Sequence, residues 1–98
     1  MPENAAGNEP TPWRYVFHGR VQGVSFRFTT NSIGRRFPVR GYVKNQPNGT
    51  VEMICIADEQ TRKAFLEAIS DAFPNNITDV DIEQLSSCPE YENFTVVY

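Results

Sequence analysis

Apolar and polar residues alternate in several short stretches of the chain, and the first clear alternation begins at Trp13. Trp13, Tyr15 and Phe17 alternate with Arg14 and His18, which is the period-two pattern of a strand with one large apolar face. The same reasoning predicts further strands over residues 39–45, 50–57, 77–85 and 93–98. In the fourth of these five strands, the apolar side chains alternate sharply with acidic ones, so Val80 and Ile82 are expected on the buried face.

Two other stretches repeat their apolar residues every three or four positions, as amphipathic helices do. The first stripe consists of Phe26, Thr30, Ile33 and Phe37, and Pro38 ends that helix. The second helix begins after Asp58, a residue type that favours the N-cap position, and continues to about Phe73. Its stripe consists of Phe65, Ile69, Ala72 and Phe73, is flanked by Leu66, and is expected to face the core.

The first of these helices contains Gly34, a weak helix former. In a helix interior, glycine costs about 1 kcal/mol relative to alanine. If Gly34 lies in mid-helix, Gly34→Ala is expected to raise the free energy of unfolding by roughly 0.5–1 kcal/mol.

The predicted elements follow the order βαββαββ, with a hairpin turn at Asn48 and Gly49 between the second and third strands. This order is typical of a ferredoxin-like α+β sandwich, in which two helices pack on one face of a mainly antiparallel sheet. The domain is expected to span residues 13–98, after a flexible lead-in over residues 1–12 that contains Pro, Gly and polar residues.

The composition is that of one small globular domain, but its charge is distributed unevenly. The 98 residues carry a formal net charge of -3, which argues against a nucleic-acid partner. Seven of the nine basic residues nevertheless lie within residues 13–45, a segment without any Asp or Glu. This asymmetry indicates a positive site for a small anion. The alternative is that charges from the two halves pair across the surface.

Neither targeting nor metal binding is indicated by the residue pattern. The opening residues lack the apolar core of a signal peptide, and no apolar run approaches the roughly 20 residues that span a bilayer. We therefore expect a cytoplasmic protein without a membrane partner. Cys55 and Cys88 have no metal-ligand spacing, and two free thiols are favoured over a disulfide. No metal or cofactor is expected.

Residues 18–27 carry the clearest chemical implication. Gly19 and Gly23 bracket a loop between the first strand and the first helix. Glycines allow successive backbone N–H groups to converge on an anion, and the positive end of the helix dipole lies beside them. Arg27 is close enough to fold its planar guanidinium over the same pocket, where it would match two oxygens of a phosphoryl group. A tight surface turn with a solvated Arg27 is the alternative interpretation.

Residues Gly19 to Arg27 resemble the first signature of the acylphosphatase family, and residues 41–45 with 48–52 resemble the second. The closing residues 91–98 are similar to the terminal strand of that family, so the resemblance extends from Trp13 onward. It implies a ferredoxin-like fold and metal-independent hydrolysis of acyl phosphates to a carboxylate and inorganic phosphate. A small-molecule acyl phosphate is then the expected partner of a monomeric enzyme, and inorganic phosphate or sulfate is expected to occupy the same site.

The resemblance also implies the roles of particular residues. The phosphoryl group would be held by the side chain of Arg27 and by the loop Gly19, Arg20, Val21, Gln22, Gly23 and Val24, through the backbone amides of Arg20 to Val24. Asn45 would hold the attacking water. A side-chain amide both accepts and donates hydrogen bonds, so a neutral residue is able to orient one water for in-line attack. No strong base is needed, because the leaving carboxylate is itself a weak base.

Other polar residues near this loop are expected in lesser roles. His18 is interpreted as a strand-end residue rather than an acid or base. Ser25 has no triad partner and is expected to begin the helix, and strand alternation points Lys44 away from Asn45. For Gln22, shaping the loop and contacting the substrate are both open. Gln46 stands where many relatives have a small hydroxyl residue.

Two other function classes compete with an enzyme. The first is a non-catalytic phosphate-sensing or protein-interaction module on the same fold. The second is a single-stranded RNA binder, which usually needs exposed aromatic residues on the central strands. The third predicted strand has no aromatic residue, which disfavours RNA.

Overall fold

The computed structural model describes residues 10–98, and its elements follow the predicted order. The strands are β1 (Thr11–Gly19), β2 (Arg40–Asn45), β3 (Val51–Ala57), β4 (Ile77–Gln84) and β5 (Phe94–Val97), and the helices are α1 (Phe26–Gly34) and α2 (Glu59–Ala72). The predicted order βαββαββ is therefore confirmed. Neither helix in this part of the chain has the length and apolar character needed to cross a membrane.

The five strands form one sheet in the order β4-β1-β3-β2-β5. β3 lies between β1 and β2 and pairs antiparallel with both. β4 pairs antiparallel with β1 at one edge, whereas β5 pairs parallel with β2 at the other. Because of these directions, β1, β2 and β5 all finish at the end of the sheet where β3 begins.

The hydrophobic core lies between the sheet and the two helices. Tyr15 and Phe17, two of the alternating residues of β1, are fully buried. The ring of Phe17 packs against that of Phe26 at the start of α1, with centroids 5.1 Å apart, and Phe26 packs against Phe73 at 4.7 Å. This aromatic chain fixes the first turn of α1 against the sheet.

The second helix begins at the predicted cap and differs from its predicted stripe at one residue. The Asp58 carboxylate accepts a hydrogen bond from the Thr61 N–H at 2.7 Å, as an N-cap does. Phe65 and Ile69 are fully buried. Ala72, predicted to face the core, is exposed, because α2 ends there and Phe73 fills the last core position.

The first helix ends at Gly34, three residues earlier than its apolar stripe predicts. The Arg36 N–H donates to the Ile33 carbonyl, and the Phe37 N–H donates to the Gly34 carbonyl. These bonds span three residues rather than four, so they tighten the chain into a turn. Pro38 follows, and the residue before a proline is disfavoured in a helix.

Gly34 is consequently not a mid-helix residue, and the stabilisation predicted for Gly34→Ala no longer applies. A Cβ at this position would lie 3.0 Å from Cδ2 of Phe94 and 3.3 Å from Cζ of Phe65. Adding a methyl group to a packed interior forces its neighbours to shift. The glycine allows α1 to approach these two rings closely.

The first strand starts two residues before the predicted boundary at Trp13. β3 is long enough to pair Ala57 with Thr11 and Ile56 with Pro12, so these two residues belong to the sheet rather than to the predicted lead-in. Of the rest of that lead-in, Pro10 is exposed and precedes the strand, and residues 1–9 lie outside the described residues.

The fourth strand does not bury both of the residues predicted for its inner face. Val80 is half-buried, whereas 48% of Ile82 is exposed. The helices pack chiefly over β2, β3 and β5, and β4 contacts mainly β1. The edge of the sheet at Ile82 is therefore left without a cover.

The sheet face away from the helices carries a polar cluster around Glu52. Nε of Arg14 donates to the Glu52 carboxylate at 2.6 Å, and the Tyr42 hydroxyl donates to it at 2.8 Å. Burial alone would raise the pKa of Glu52, but the hydrogen bonds from Arg14 and Tyr42 outweigh it and lower that pKa below its usual value. The ionised carboxylate therefore stabilises the folded state.

Glu52→Gln should lower the free energy of unfolding by about 1–2 kcal/mol at neutral pH. This is less than the ~3–5 kcal/mol typical of a broken buried pair, because 36% of the Arg14 side chain is exposed. Since the folded pKa is depressed, the loss should be fully present above the usual value of 4.5 and should disappear as the pH falls through the lowered pKa of the folded state. Urea titrations at about pH 7 and about pH 3 measure both limits.

Glu83→Gln is the matched control, because Glu83 lies 3.8 Å from Arg14 and its side chain is 64% exposed. Its removal should change the free energy of unfolding by less than about 0.5 kcal/mol. A loss for Glu52→Gln that is equally large at both pH values would contradict stabilisation by the ionised carboxylate.

Candidate active site

The topology brings residues that are distant in the sequence to one end of the sheet. Phe17 and Asn45 both pair with Val51 of β3, so the loop after β1 and the last residue of β2 flank the same strand. A cavity of about 290 Å³ opens there, lined by Val21, Gly23, Ser25, Phe26, Arg27, Phe28 and Asn45. Arg27 and Asn45, the two residues predicted for catalysis, thus share one cavity.

The glycine loop, residues 19–25, is fastened at its start to the chain before β4. The Arg20 N–H donates to the Asn76 carbonyl at 2.8 Å, and the Asn76 side chain donates to the Arg20 carbonyl at 3.1 Å. Gly19 has φ +119°, and a Cβ there would overlap the Asn76 carbonyl. Only glycine permits both the backbone conformation and this close approach.

Gln22 fastens the middle of the glycine loop to the hairpin turn between β2 and β3. Its Nε2 donates to the carbonyls of Gln46 and Thr50, each at 2.8 Å. That turn is held in shape by Gly49, at φ +93°, and by the Asn48 side chain, which accepts hydrogen bonds from Thr50. Gln22 does not line the cavity, so of the two roles left open, the structure favours shaping the loop.

Two buried side chains hold the cavity side of the glycine loop in place. Val21 and Phe26 are each 1% exposed, so both ends of the intervening segment are anchored in the core. Within the described residues, the N–H groups of Val21 to Ser25 donate to no protein acceptor. Ser25 is the N-cap residue of α1, at the helix start as predicted, with an unusual φ of +64° and no side-chain cap hydrogen bond. Free N–H groups before a helix are typical of anion-binding sites.

The guanidinium of Arg27 is held by the last two residues of the chain. Nη1 donates to the Val97 carbonyl at 3.1 Å, and the guanidinium carbon lies 4.9 Å from the centre of the Tyr98 ring. Val97 and Tyr98 are not among the predicted site residues, because their approach to Arg27 depends on the parallel pairing of β5 with β2. No local pattern in the sequence reveals that pairing.

Arg27 keeps its positive charge available to a ligand. Of the seven basic residues in segment 13–45, Arg14 is the only one that forms an ion pair with an acidic side chain of residues 10–98. The alternative of charges that pair across the surface therefore holds for Arg14 and not for Arg27. The cavity is left with an uncompensated guanidinium.

Asn45 is half-buried at the end of β2, and its side-chain amide forms no hydrogen bond with the described residues. Both its donor and its acceptor remain available in the cavity.

Lys44 and His18, the other polar residues near the loop, do not line the cavity. Lys44 is exposed. His18 contacts Asp81, with 2.8 Å between Nε2 of His18 and Oδ2 of Asp81.

Of the residues predicted to bind substrate, Val21, Gly23 and Arg27 line the cavity, whereas Gly19, Arg20, Gln22 and Val24 do not. Gly19, Arg20 and Gln22 fix the course of the loop instead. Phe28 lines the cavity without having been predicted. Its signal in the sequence is an apolar side chain off the buried stripe of α1.

The described residues that line the cavity include no His, Cys, Asp or Glu, the side chains that metal binding or thiol chemistry would use. Among residues 10–98, no three His, Cys, Asp or Glu side chains gather as a metal ion would need. Cys55 and Cys88 are free thiols, as favoured. Burial raises the pKa of Cys55 to about 12, and a thiol protonated at neutral pH is a poor nucleophile.

A mainly antiparallel sheet with two helices on one face, and a glycine loop beside an unpaired arginine, define a ferredoxin-like domain with the features of an anion site. The family model for acylphosphatases matches residues 13–96. The chain is 36% identical to an acylphosphatase from Bacillus velezensis over 87 residues, which are 88% of this chain and 97% of the relative. An acylphosphatase from Archaeoglobus fulgidus is also 36% identical, over 82% of this chain and 90% of the relative.

The crystal structure of acylphosphatase from Bacillus subtilis matches the fold with a TM-score of 0.80 and 31% identity, over 89% of this chain and 98% of that one. The chain belongs to the acylphosphatase family. This result confirms the family, the fold and the class of hydrolase that the two motifs predicted.

Proposed function

We propose that this protein hydrolyses the carboxyl–phosphate bond of acyl phosphates in the cavity at the end of β1 and β2. The observation that carries the proposal is the convergence of three features on one cavity. These are the glycine loop with its free N–H groups, the unpaired guanidinium of Arg27, and the unengaged amide of Asn45.

The glycine loop and Arg27 supply binding for the phosphoryl group. The N–H groups of Val21 to Ser25 would donate to its oxygens, and the N–H groups of Arg27 that do not contact Val97 would donate from the side. Because the loop is fastened at Asn76, Gln46 and Thr50, these donors need little rearrangement as charge develops in the transition state. Such preorganisation is a major source of catalytic stabilisation.

The side chain of Asn45 positions the water that attacks the phosphorus. Its carbonyl oxygen would accept a hydrogen bond from the water, and the water oxygen would attack phosphorus in line with the leaving group. The new bond joins water oxygen and phosphorus, and the bond between phosphorus and the bridging oxygen breaks. The carboxylate leaves with that electron pair, while the protons of the water remain on phosphate or pass to solvent.

The same site supports the remaining parts of the proposal. A weakly basic carboxylate leaving group needs neither a metal ion nor an acid to depart, so we propose a metal-independent reaction. One chain contributes every group described above, which supports a monomer. The two free thiols are typical of a reducing compartment such as the cytoplasm.

Release of inorganic phosphate from acetyl phosphate and benzoyl phosphate, measured in EDTA, tests this proposal. The expected result is steady turnover of both compounds that is unchanged by the chelator. Phosphate binding without turnover would instead support the alternative of a non-catalytic phosphate-sensing module.

A further inference from the structure

The cavity is bordered by an apolar side chain that phosphate chemistry does not require. Phe28, the third residue of α1, lines the cavity, and 59% of it is exposed. It lies off the buried stripe of Phe26, Thr30 and Ile33, so the core does not account for it. An exposed phenyl ring beside a polar site is a feature typical of ligand contact.

A second exposed aromatic side chain contacts Arg27 without lining the cavity. Tyr98 is 79% exposed, and its ring lies against the Arg27 guanidinium. Among the described residues, the large exposed hydrophobic side chains are Phe28, Ile82 and Tyr98. Two of these three adjoin Arg27, Phe28 as its neighbour in α1 and Tyr98 by contact, so exposed aromatic surface is concentrated around Arg27.

The two ends of an acyl phosphate require different surroundings. Its phosphoryl end is charged and suits the N–H groups and Arg27, whereas its acyl end carries no charge beyond the carbonyl dipole. With the phosphoryl group at the glycine loop, the acyl group has to extend from Arg27 toward the open side of the cavity. Phe28, which lines the cavity, supplies apolar surface there.

Resting on the proposed function, we infer that Phe28 is a specificity-determining residue that favours acyl phosphates with a bulky apolar or aromatic acyl group over acetyl phosphate. An aromatic acyl group would cover part of the exposed Phe28 ring and lose its own contact with water. A methyl group is too small to cover that ring. Differences of this size in an apolar contact are worth about tenfold to a hundredfold in kcat/KM.

The ratio of kcat/KM for benzoyl phosphate to kcat/KM for acetyl phosphate measures this preference. Phe28→Ala should lower the ratio about tenfold, whereas Phe28→Tyr, which keeps the ring, should retain it. Ile82→Ala is the matched control, because it removes an exposed apolar side chain on β4 that does not line the cavity. Its ratio should equal that of the unaltered protein.

A ratio unchanged by Phe28→Ala overturns the inference and leaves the proposed function intact. If neither compound is turned over, the proposed function fails. Calorimetric binding of benzoylphosphonate and acetylphosphonate then tests the inference in place of kinetics. Phe28→Ala should change the ratio of their two Kd values by the same factor of about ten. Phe28→Leu gives a second, foldable variant should Phe28→Ala unfold. An equal loss for both ligands would also overturn the inference, because it would assign Phe28 a structural role.

Discussion

Arg27→Ala should reduce kcat/KM for acetyl phosphate by roughly 10³-fold or more. Removing one preorganised donor to a developing charge costs about 10²–10³-fold, and Arg27 supplies both several donors and the positive charge of the cavity. Among the described residues that line the cavity, Arg27 is the only basic side chain, so no second cation of this lining replaces it. Phosphate affinity, measured by calorimetry, should fall as well, because the guanidinium binds the ground state and the transition state.

Arg27→Lys separates charge from geometry in this prediction. It keeps a positive charge but loses the planar pair of donors, so a loss of about 10²-fold is expected. Arg36→Ala is the control, because Arg36 is an exposed arginine in the turn after α1 and does not line the cavity. Turnover by Arg27→Ala comparable to that of Arg36→Ala would show that the phosphoryl group is held elsewhere.

Asn45→Ala should act on the rate of the chemical step rather than on binding. We expect kcat to fall by about 10²–10³-fold, since correct positioning of a reactant accounts for a large part of the barrier in such reactions. Phosphate affinity should change by less than about threefold, because a neutral amide that holds a water adds little to the binding of the anion itself. Steady-state kinetics and phosphate calorimetry on the same preparations separate these two quantities.

Asn93→Ala is the matched control for Asn45→Ala. Asn93 is exposed, and its backbone carbonyl, which accepts from the Gly41 N–H, is retained in the variant. Its kcat should equal that of the unaltered protein. If Asn45→Ala instead weakened phosphate binding and left kcat intact, Asn45 would be a ligand of the phosphoryl group and not of the water.

The sequence alone predicts those helices and strands whose pattern depends on interactions between residues close together in the chain. The alternation from Trp13 to His18 and the cap at Asp58 correspond to β1 and α2, because burial on one side and a free N–H at a helix start act over a few residues. The conformation of the glycine loop is also predicted from residues that lie close together in the sequence. Gly19 and Gly23 take positive φ values, a conformation that glycine allows without a Cβ clash.

The sequence alone does not predict features that depend on contacts between segments far apart in the chain. Gly34→Ala is not the simple helix-stabilising change predicted, because the rings of Phe65 and Phe94, from α2 and β5, lie within 3.3 Å of where its Cβ would be. Ile82 is exposed because β4 lies at the sheet edge, a property of strand order rather than of its own alternation. Gln22 was ambiguous because its partners follow it by more than 20 positions along the chain.

The same limitation applies to the contact between Arg27 and the chain terminus. Arg27 was identified from its place after the glycine loop, but its orientation depends on Val97 and Tyr98. These residues reach it only because β5 adds to the sheet parallel to β2. Local sequence patterns therefore identify the functional groups, and tertiary structure determines the orientation of their side chains.

A crystal structure with inorganic phosphate is the most direct test of the central claim, that the glycine loop and Arg27 hold the phosphoryl group while Asn45 faces it. The account predicts one phosphate in the cavity, with oxygens at hydrogen-bonding distance, about 2.7–3.2 Å, from the Arg27 guanidinium and from N–H groups of Val21 to Ser25. The Asn45 amide should face the phosphorus across a space the size of one water. Phosphate bound away from this cavity, or bound in it without contact to Arg27, would contradict the account.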